Sequence, residues 1–284
     1  MRSLVIRLCL SVFVLFGSLN VAFAQLDLAR EHPVVYGHHH LNVSNAADHL
    51  PLWVGVLGGT QVAFGANTVV KFPNVLVFMR EEAPTGETKG STVNHIGFSV
   101  PDLRATLDAV EAAGFAVVTR EELPPTFEVD DGIADVPAAG LRIAFIMAPD
   151  RVKIELVEES AQAVAADLHH VHLSAQEPAA VRDWYAATFG ATPGRSGNFE
   201  VAELPGVTLS FLPSPVALAG TQGRSLDHLG FEIDGLEAFC RELEARGVSF
   251  DRPYREIPER GLALAYFTDP WGTYIELTEG LDTL

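Results

Sequence analysis

The chain has 284 residues, 48% of them hydrophobic and 20% charged, which is the composition of a folded protein and not of a disordered one. Its 19 Lys and Arg stand against 37 Asp and Glu, for a net charge of −18. A chain this acidic repels phosphate backbones and anionic lipid, so nucleic acid and membrane surfaces are excluded as expected partners.

Residues 1–24 have the three parts of a secretory signal. Arg2 and Arg7 supply the basic start, residues 8–16 are an almost unbroken apolar run, and Ala22-Phe23-Ala24 is an A-x-A cleavage site before Gln25. Cleavage would leave no membrane anchor, and export, to a periplasm by preference, is the expected address. Of the two cysteines, Cys9 falls in this segment, so Cys240 is alone in the mature chain and no internal disulfide can form.

The remainder repeats itself. Gly37-His38-His39-His40-Leu41-Asn42-Val43 is matched by His169-His170-Val171-His172-Leu173-Ser174-Ala175, and each is followed by a helical pattern holding Trp53 or Trp184-Tyr185. Asn94-His95-Ile96-Gly97-Phe98 is matched by Asp227-His228-Leu229-Gly230-Phe231. Helices follow from Leu103 to Ala113 and from Leu236 to Arg246, stopped by Gly114 and Gly247. The last pair is Lys153-Ile154-Glu155-Leu156 and Tyr274-Ile275-Glu276-Leu277. Four βαβββ modules result, at about 34–80, 93–158, 168–213 and 226–280. They give two predicted domains, 25–160 and 161–284.

Strand side chains alternate faces, and the apolar ones should meet the helices. Leu41 and Val43 then take His39 with them, while His38 and His40 face away. Val171 and Leu173 turn His170 and His172 to the open face. By the same alternation His95, His228, Glu155 and Glu276 point into the concave side. Each half therefore offers two imidazoles and one carboxylate, the donor set of a three-ligand Fe(II), Mn or Zn centre with open positions. The expected sets are His170, His228 and Glu276 in the second half, and His38, His95 and Glu155 as a weaker or empty site in the first. The reason for the inequality is Lys153, whose ammonium lies two residues from Glu155 on the same face. His172, beside His170, is a candidate acid or base.

These motifs resemble the vicinal oxygen chelate superfamily, which includes glyoxalase I, extradiol dioxygenases, fosfomycin thiol transferases and bleomycin-binding proteins. The pattern is His170-x-x-Leu173, Tyr185 fifteen residues after the His, His228-x-Gly230-Phe231 and Asp269-Pro270-Trp271-Gly272-Thr273-Tyr274-Ile275-Glu276-Leu277. The first half keeps His38, Leu41, Val43, Trp53 and His95, but ends Ala148-Pro149-Asp150-Arg151. The resemblance implies an α+β fold of tandem βαβββ modules, forming curved mixed-sheet half-barrels with outer helices. It implies a divalent metal and a small oxygenated substrate chelated to it. Glyoxalase I-like sites draw a further ligand from the strand before the second His, but Leu76-Val77-Phe78 and Leu209-Ser210-Phe211 carry no carboxylate. Ring-cleaving dioxygenases carry a Tyr ten residues before the ligand Glu, where Tyr266 stands. Dioxygenase-like chemistry is accordingly preferred over lyase or isomerase chemistry. The alternative is a non-catalytic, sequestering protein of the bleomycin-binding type. A homodimer is a further possibility.

Overall fold

A computed structural model of the chain describes residues 31–137 and 139–284. The predicted signal at 1–24, with Arg2, Arg7 and the Ala22-Phe23-Ala24 site, lies outside the described residues. No described helix is long and apolar enough to cross a membrane.

The four modules follow the predicted order. The first runs β1 (Val34–Val43), α1 (Ala46–Leu50), β2 (Thr60–Phe64), β3 (Asn67–Lys71) and β4 (Leu76–Glu81). The second is β5 (Val93–Val100), α2 (Leu103–Ala112), β6 (Ala116–Val117), α3 (Thr119–Glu122), β7 (Val129–Asp130), β8 (Ile133–Val136), β9 (Leu141–Met147) and β10 (Lys153–Glu158). The third is β11 (Asp167–Ala175), α4 (Pro178–Phe189), β12 (Thr192–Ser196), β13 (Phe199–Leu204) and β14 (Val207–Pro213). The fourth is β15 (Leu226–Ile233), α5 (Leu236–Ala245), β16 (Phe250–Ile257), β17 (Leu262–Thr268) and β18 (Tyr274–Glu279). The architecture is the expected α+β type, with open curved sheets that are not closed barrels.

Local chemistry sets these boundaries. Asp102 caps α2 by accepting from the Ala105 amide at 3.0 Å, and Leu103, Leu107 and Val110 form its buried stripe. Gly190, at φ 72°, ends α4 in the left-handed conformation that costs glycine little. Pro51 cannot donate to the α1 ladder, and the chain continues as a π-helical turn over Pro51–Val56 that buries Trp53 completely.

The sheets do not follow the two halves. One has the order β16-β17-β18-β15-β1-β4-β3-β2, and the other β12-β13-β14-β11-β5-β10-β9-β8-β7. The first and fourth modules thus share a sheet, as do the second and third. The domain division at 160/161 marks the sequence repeat, but each sheet takes strands from both sides of it. The seams are antiparallel pairs in the middle of each sheet, β1 with β15 and β5 with β11. Their registers are equivalent: His38 lies opposite Gly230 and His40 opposite His228, while His170 lies opposite Gly97 and His172 opposite His95. A Cβ at Gly230 would come within 2.0 Å of the His38 ring, and one at Gly97 within 2.2 Å of the His170 ring. The glycine of each His-x-Gly-Phe motif therefore makes room for a histidine from the other half.

The predicted faces hold. Leu41, Val43, Ile96, Phe98, Val171 and Leu173 enter one core with the helices, as do Phe231, Ile275 and Leu277. Phe189 of α4 stacks on Phe231 of β15 at 4.2 Å, which joins the two sheets through this core. Burying each such ring contributes about 2 kcal/mol. His39 is a core histidine whose Nδ1 lies 2.6 Å from the Tyr36 hydroxyl, and burial lowers its pKa to about 3.

The turns before the two glutamates tie modules within a half. Asp269 accepts the Trp271 and Thr273 amides at 2.9 and 2.8 Å and the Tyr185 hydroxyl at 3.0 Å. Its counterpart region has no glycine, and Asp150 and Arg151 take φ of 53° and 60° where Gly272 has 104°. Asp150 offsets that strain by accepting from the Ser44 amide and hydroxyl and by meeting His49 Nε2 at 3.0 Å.

Glu232, buried at the end of β15, accepts from the Thr278 hydroxyl at 2.6 Å and from the Leu281 amide at 3.0 Å. Burial nevertheless pushes its carboxyl up to about 7 from an ordinary 4.5. A raised carboxyl favours the folded state fully below about 4.5, and that benefit is lost as pH rises through about 7. Glu232→Gln keeps an acceptor for the amides and cannot ionise. Its stability relative to wild type should therefore rise by up to about 3 kcal/mol between pH 5 and pH 8. Denaturant melts at the two pH values measure this, and parallel profiles for the two proteins would exclude the effect.

Candidate metal centres

The seams decide which ligands meet. His38 from β1, His228 from β15 and Glu276 from β18 form one buried group in the first sheet. His95 from β5, Glu155 from β10, and His170 and His172 from β11 form another in the second. In each group the candidate ligand atoms lie within 4.8 Å of one another. The residues singled out from the sequence are all there, but the expected sets are corrected. His170 is in the other sheet from His228 and Glu276, and His38 is apart from His95 and Glu155. Alternation placed each side chain on the right face. It carried no information on which antiparallel strand would lie alongside.

In the first group His38 Nε2 and His228 Nε2 both approach the same oxygen, Glu276 Oε2, at 2.8 and 2.9 Å. His228 Nδ1 lies 2.6 Å from Asp227 Oδ1, and a carboxylate can only accept, so Nδ1 carries the proton. A neutral ring would present a bare Nε2 lone pair to the anionic oxygen, so this contact calls for a cation there, either a proton that makes the ring an imidazolium or a bound metal ion. Orienting a ligand imidazole through its other nitrogen is what a neighbouring carboxylate does in metal sites. Burial would raise Glu276, but hydrogen bonds and charge from His228 and His38 hold it well below the usual carboxylate range. Burial would lower His228, yet Asp227 and Glu276 together raise it. Two imidazoles and one ionised carboxylate fit a divalent metal. Asp227 was not foreseen from the sequence, although its place directly before His228, matched by Asn94 before His95, was visible there.

The second group has the same design with one more donor. His95 Nδ1 meets Asn94 Oδ1 at 2.8 Å and its Nε2 meets Glu155 Oε2 at 2.8 Å. His170 Nε2 and His172 Nδ1 lie 3.4 and 3.9 Å from the same oxygen. Both of these nitrogens are buried and have no hydrogen-bond partner. Glu155 is held well below the usual range, since His170 and His95 outweigh its burial. Burial lowers His95 to about 4, leaving a neutral imidazole suited to a metal. The Lys153 ammonium donates to Glu122 Oε2 at 2.8 Å and lies 5.6 Å above the Phe145 ring, so it is paired with a carboxylate outside the group, while its charge still acts on Glu155 and His95.

Of the two proposed catalytic residues, His172 belongs to this second group and Tyr266 to the first. They are not partners. The residue that occupies the place expected of His172 beside the first group is its repeat counterpart, His40. Its ring lies 4.4 Å from that of His228 and 6.0 Å from Phe78, on which it stacks. Its Nε2 is buried without a partner, and burial lowers its pKa well below the ordinary value. The Tyr266 hydroxyl donates to Glu276 Oε1 at 2.5 Å. His38, His40, Tyr266 and Glu276 all line one cleft of about 770 Å³ on the concave side of the first sheet.

Residues 167–277 match the sequence profile of the Glyoxalase/Bleomycin resistance protein/Dioxygenase superfamily. No characterised protein sequence matches the chain closely enough to count as a relative. Among solved structures, glyoxalase I from Zea mays is similar at a TM-score of 0.67, with 14% identity, over 91% of this chain and 96% of that one. A putative dioxygenase from Bacillus subtilis is similar at a TM-score of 0.62, with 15% identity, over 87% of this chain and 86% of that one. At such identities the likeness is one of fold, and it extends over both halves. Residues 167–277 thus carry the profile of that superfamily, within a chain whose two halves have the fold of these solved structures.

Proposed function

We propose that the protein is a divalent-metal enzyme whose working centre is His38, His228 and Glu276. Its substrate is a small molecule that meets the metal through adjacent oxygens. The observation that carries this reading is the convergence of two imidazole Nε2 atoms on one ionised carboxylate oxygen at the wall of a large cleft. Bound there, Fe(II), Mn or Zn would supply Lewis acidity and open coordination positions. Asp227 fixes the His228 tautomer. Tyr266 occupies Glu276 Oε1, which leaves Oε2 to the metal. His40, kept neutral by burial, is placed to accept a proton from a substrate hydroxyl in the cleft. Dioxygenase-like chemistry is preferred, with lyase or isomerase chemistry next. The group of His95, Glu155, His170 and His172 offers four donors, the number typical of a closed structural site, and we assign it that role. The exported, periplasmic address proposed from residues 1–24 belongs to the same reading.

The test is metal analysis joined to turnover. The purified protein should hold stoichiometric Fe, Mn or Zn and turn over oxygen-chelating substrates. His40→Asn should keep that metal and lose about a hundredfold or more in kcat. A metal-free protein that binds such molecules tightly without turnover would replace this reading with the sequestering one.

A further inference from the structure

Three arginines line the cleft beside the first centre: Arg252 and Arg255 on β16, and Arg260 in the turn that follows it. In a chain with a net charge of −18 their gathering is notable in itself. None of the three has a carboxylate within ion-pair distance among the described residues, whereas Arg104, Arg142, Arg182, Arg241 and Arg246 all do. Two of them are placed by aromatic rings instead. The Arg252 guanidinium lies 5.1 Å from the centre of the Tyr266 ring, whose hydroxyl reaches Glu276. That of Arg260 lies 5.6 Å from the centre of the Phe64 ring. Phe64 ends β2, at the opposite edge of the same sheet, so the arginines stand where the curled sheet brings its edges together. The carboxylates lining the cleft are Glu276, which belongs to the centre, and Asp251, which accepts from the Thr268 hydroxyl at 2.8 Å.

We infer that the substrate is an anion: a small oxygenated molecule carrying a carboxylate or phosphate group that Arg252, Arg255 and Arg260 receive while its adjacent oxygens face His38, His228 and Glu276. Guanidinium groups suit both oxyanions, because their parallel N–H donors match paired oxygens. Tyr266 touches both sides of this arrangement, with its hydroxyl on Glu276 and its ring against Arg252, so one small molecule in the cleft can meet the centre and the arginines together.

This inference rests on the proposed centre, and the test keeps the two apart. Zinc-loaded protein is titrated with catechol, 3,4-dihydroxybenzoate and 3,4-dihydroxyphenylphosphonate, which share one chelating pair and differ in the group opposite. Metal content is measured on every sample. At least one anionic probe should bind tenfold or more tighter than catechol, and whichever gains more distinguishes carboxylate from phosphate. Arg252→Ala, Arg255→Ala and Arg260→Ala should each reduce that ratio, and the triple variant should bring it close to one with catechol affinity and metal content unchanged. Should one variant fold poorly, Arg→Lys replacements at the same positions should retain most of the gain. Equal binding of all three probes by wild type, or a gain that survives the triple variant, overturns the anionic assignment and leaves the centre standing. Failure of metal-loaded protein to bind any of the three overturns the centre and this inference with it.

Discussion

Glu276→Ala is expected to remove one metal ion and to leave a second in place. Glu276 supplies the only charge among the ligands of its group, and its Oε2 is the point on which His38 and His228 converge. Loss of a partner that merely orients a ligand already costs 10- to 100-fold in metal affinity. Removing the anionic ligand itself should therefore cost more than about a hundredfold. His38→Ala and His228→Ala should strip the same ion, although these residues lie in different halves of the sequence. His170→Ala should instead act with Glu155→Ala and His95→Ala on the other ion, because these meet across the β5–β11 seam. Metal stoichiometry for each single variant and for the pairs separates the groupings. The set read from one half alone predicts that His170 and Glu276 share an ion. If His170→Ala and Glu276→Ala empty the same site, and their double variant loses no more than either, the cross-half assignment is wrong.

The reason for that difference lies in what strand periodicity encodes. The alternation of Leu41, Val43, Val171 and Leu173 with the histidines was enough to put His38, His40, His170 and His172 on the concave faces, and the structure agrees at each. The repeat was equally legible, down to the glycine stops of α2 and α5. Pairing across the seam was not legible, because β5 and β15 carry nearly the same pattern and either could lie beside β1. The distinguishing information is tertiary. It resides in the linkers, the helix packing and the turns at Asp150 and Asp269, which tie each module to its neighbour in sequence through Ser44 and His49 or through Tyr185. The arginines of the cleft escaped notice for a related reason. In Asp251-Arg252-Pro253-Tyr254-Arg255-Glu256 both signs of charge are interspersed, as on any solvated edge strand, and only the curl of the sheet turns that edge toward Glu276.

Separately expressed halves should not yield folded monomers. Cutting between residues 160 and 161 divides both sheets at their central seams. The N-terminal half would keep β1-β4-β3-β2 and β5-β10-β9-β8-β7 with β1 and β5 exposed, and the C-terminal half would keep the rest with β11 and β15 exposed. These edges carry no proline, β1 and β5 carry no formal charge, and the acids of the other two are Asp167, Asp227 and Glu232. All ten residues of β1 are buried in the intact protein, as are all eight of β15, so the cut uncovers long apolar edges that pair readily with other chains. The repeat supplies a partner: β5 is the counterpart of β15, so β1 of one copy can take β5 of a second, and the reverse. A half-chain should accordingly appear as a swapped dimer or as aggregate, with His38 of one copy beside His95 and Glu155 of the other. Mixing or coexpressing the two halves should instead give a soluble one-to-one complex that recovers both metal groups, since the native seams bring Gly230 under His38 and Gly97 under His170. Analytical ultracentrifugation of residues 25–160 alone, with denaturant unfolding, is the measurement. A monomeric half that unfolds cooperatively would mean that module pairing within a half is stable in solution, and that the seam through β1 and β15 is not what holds the fold together.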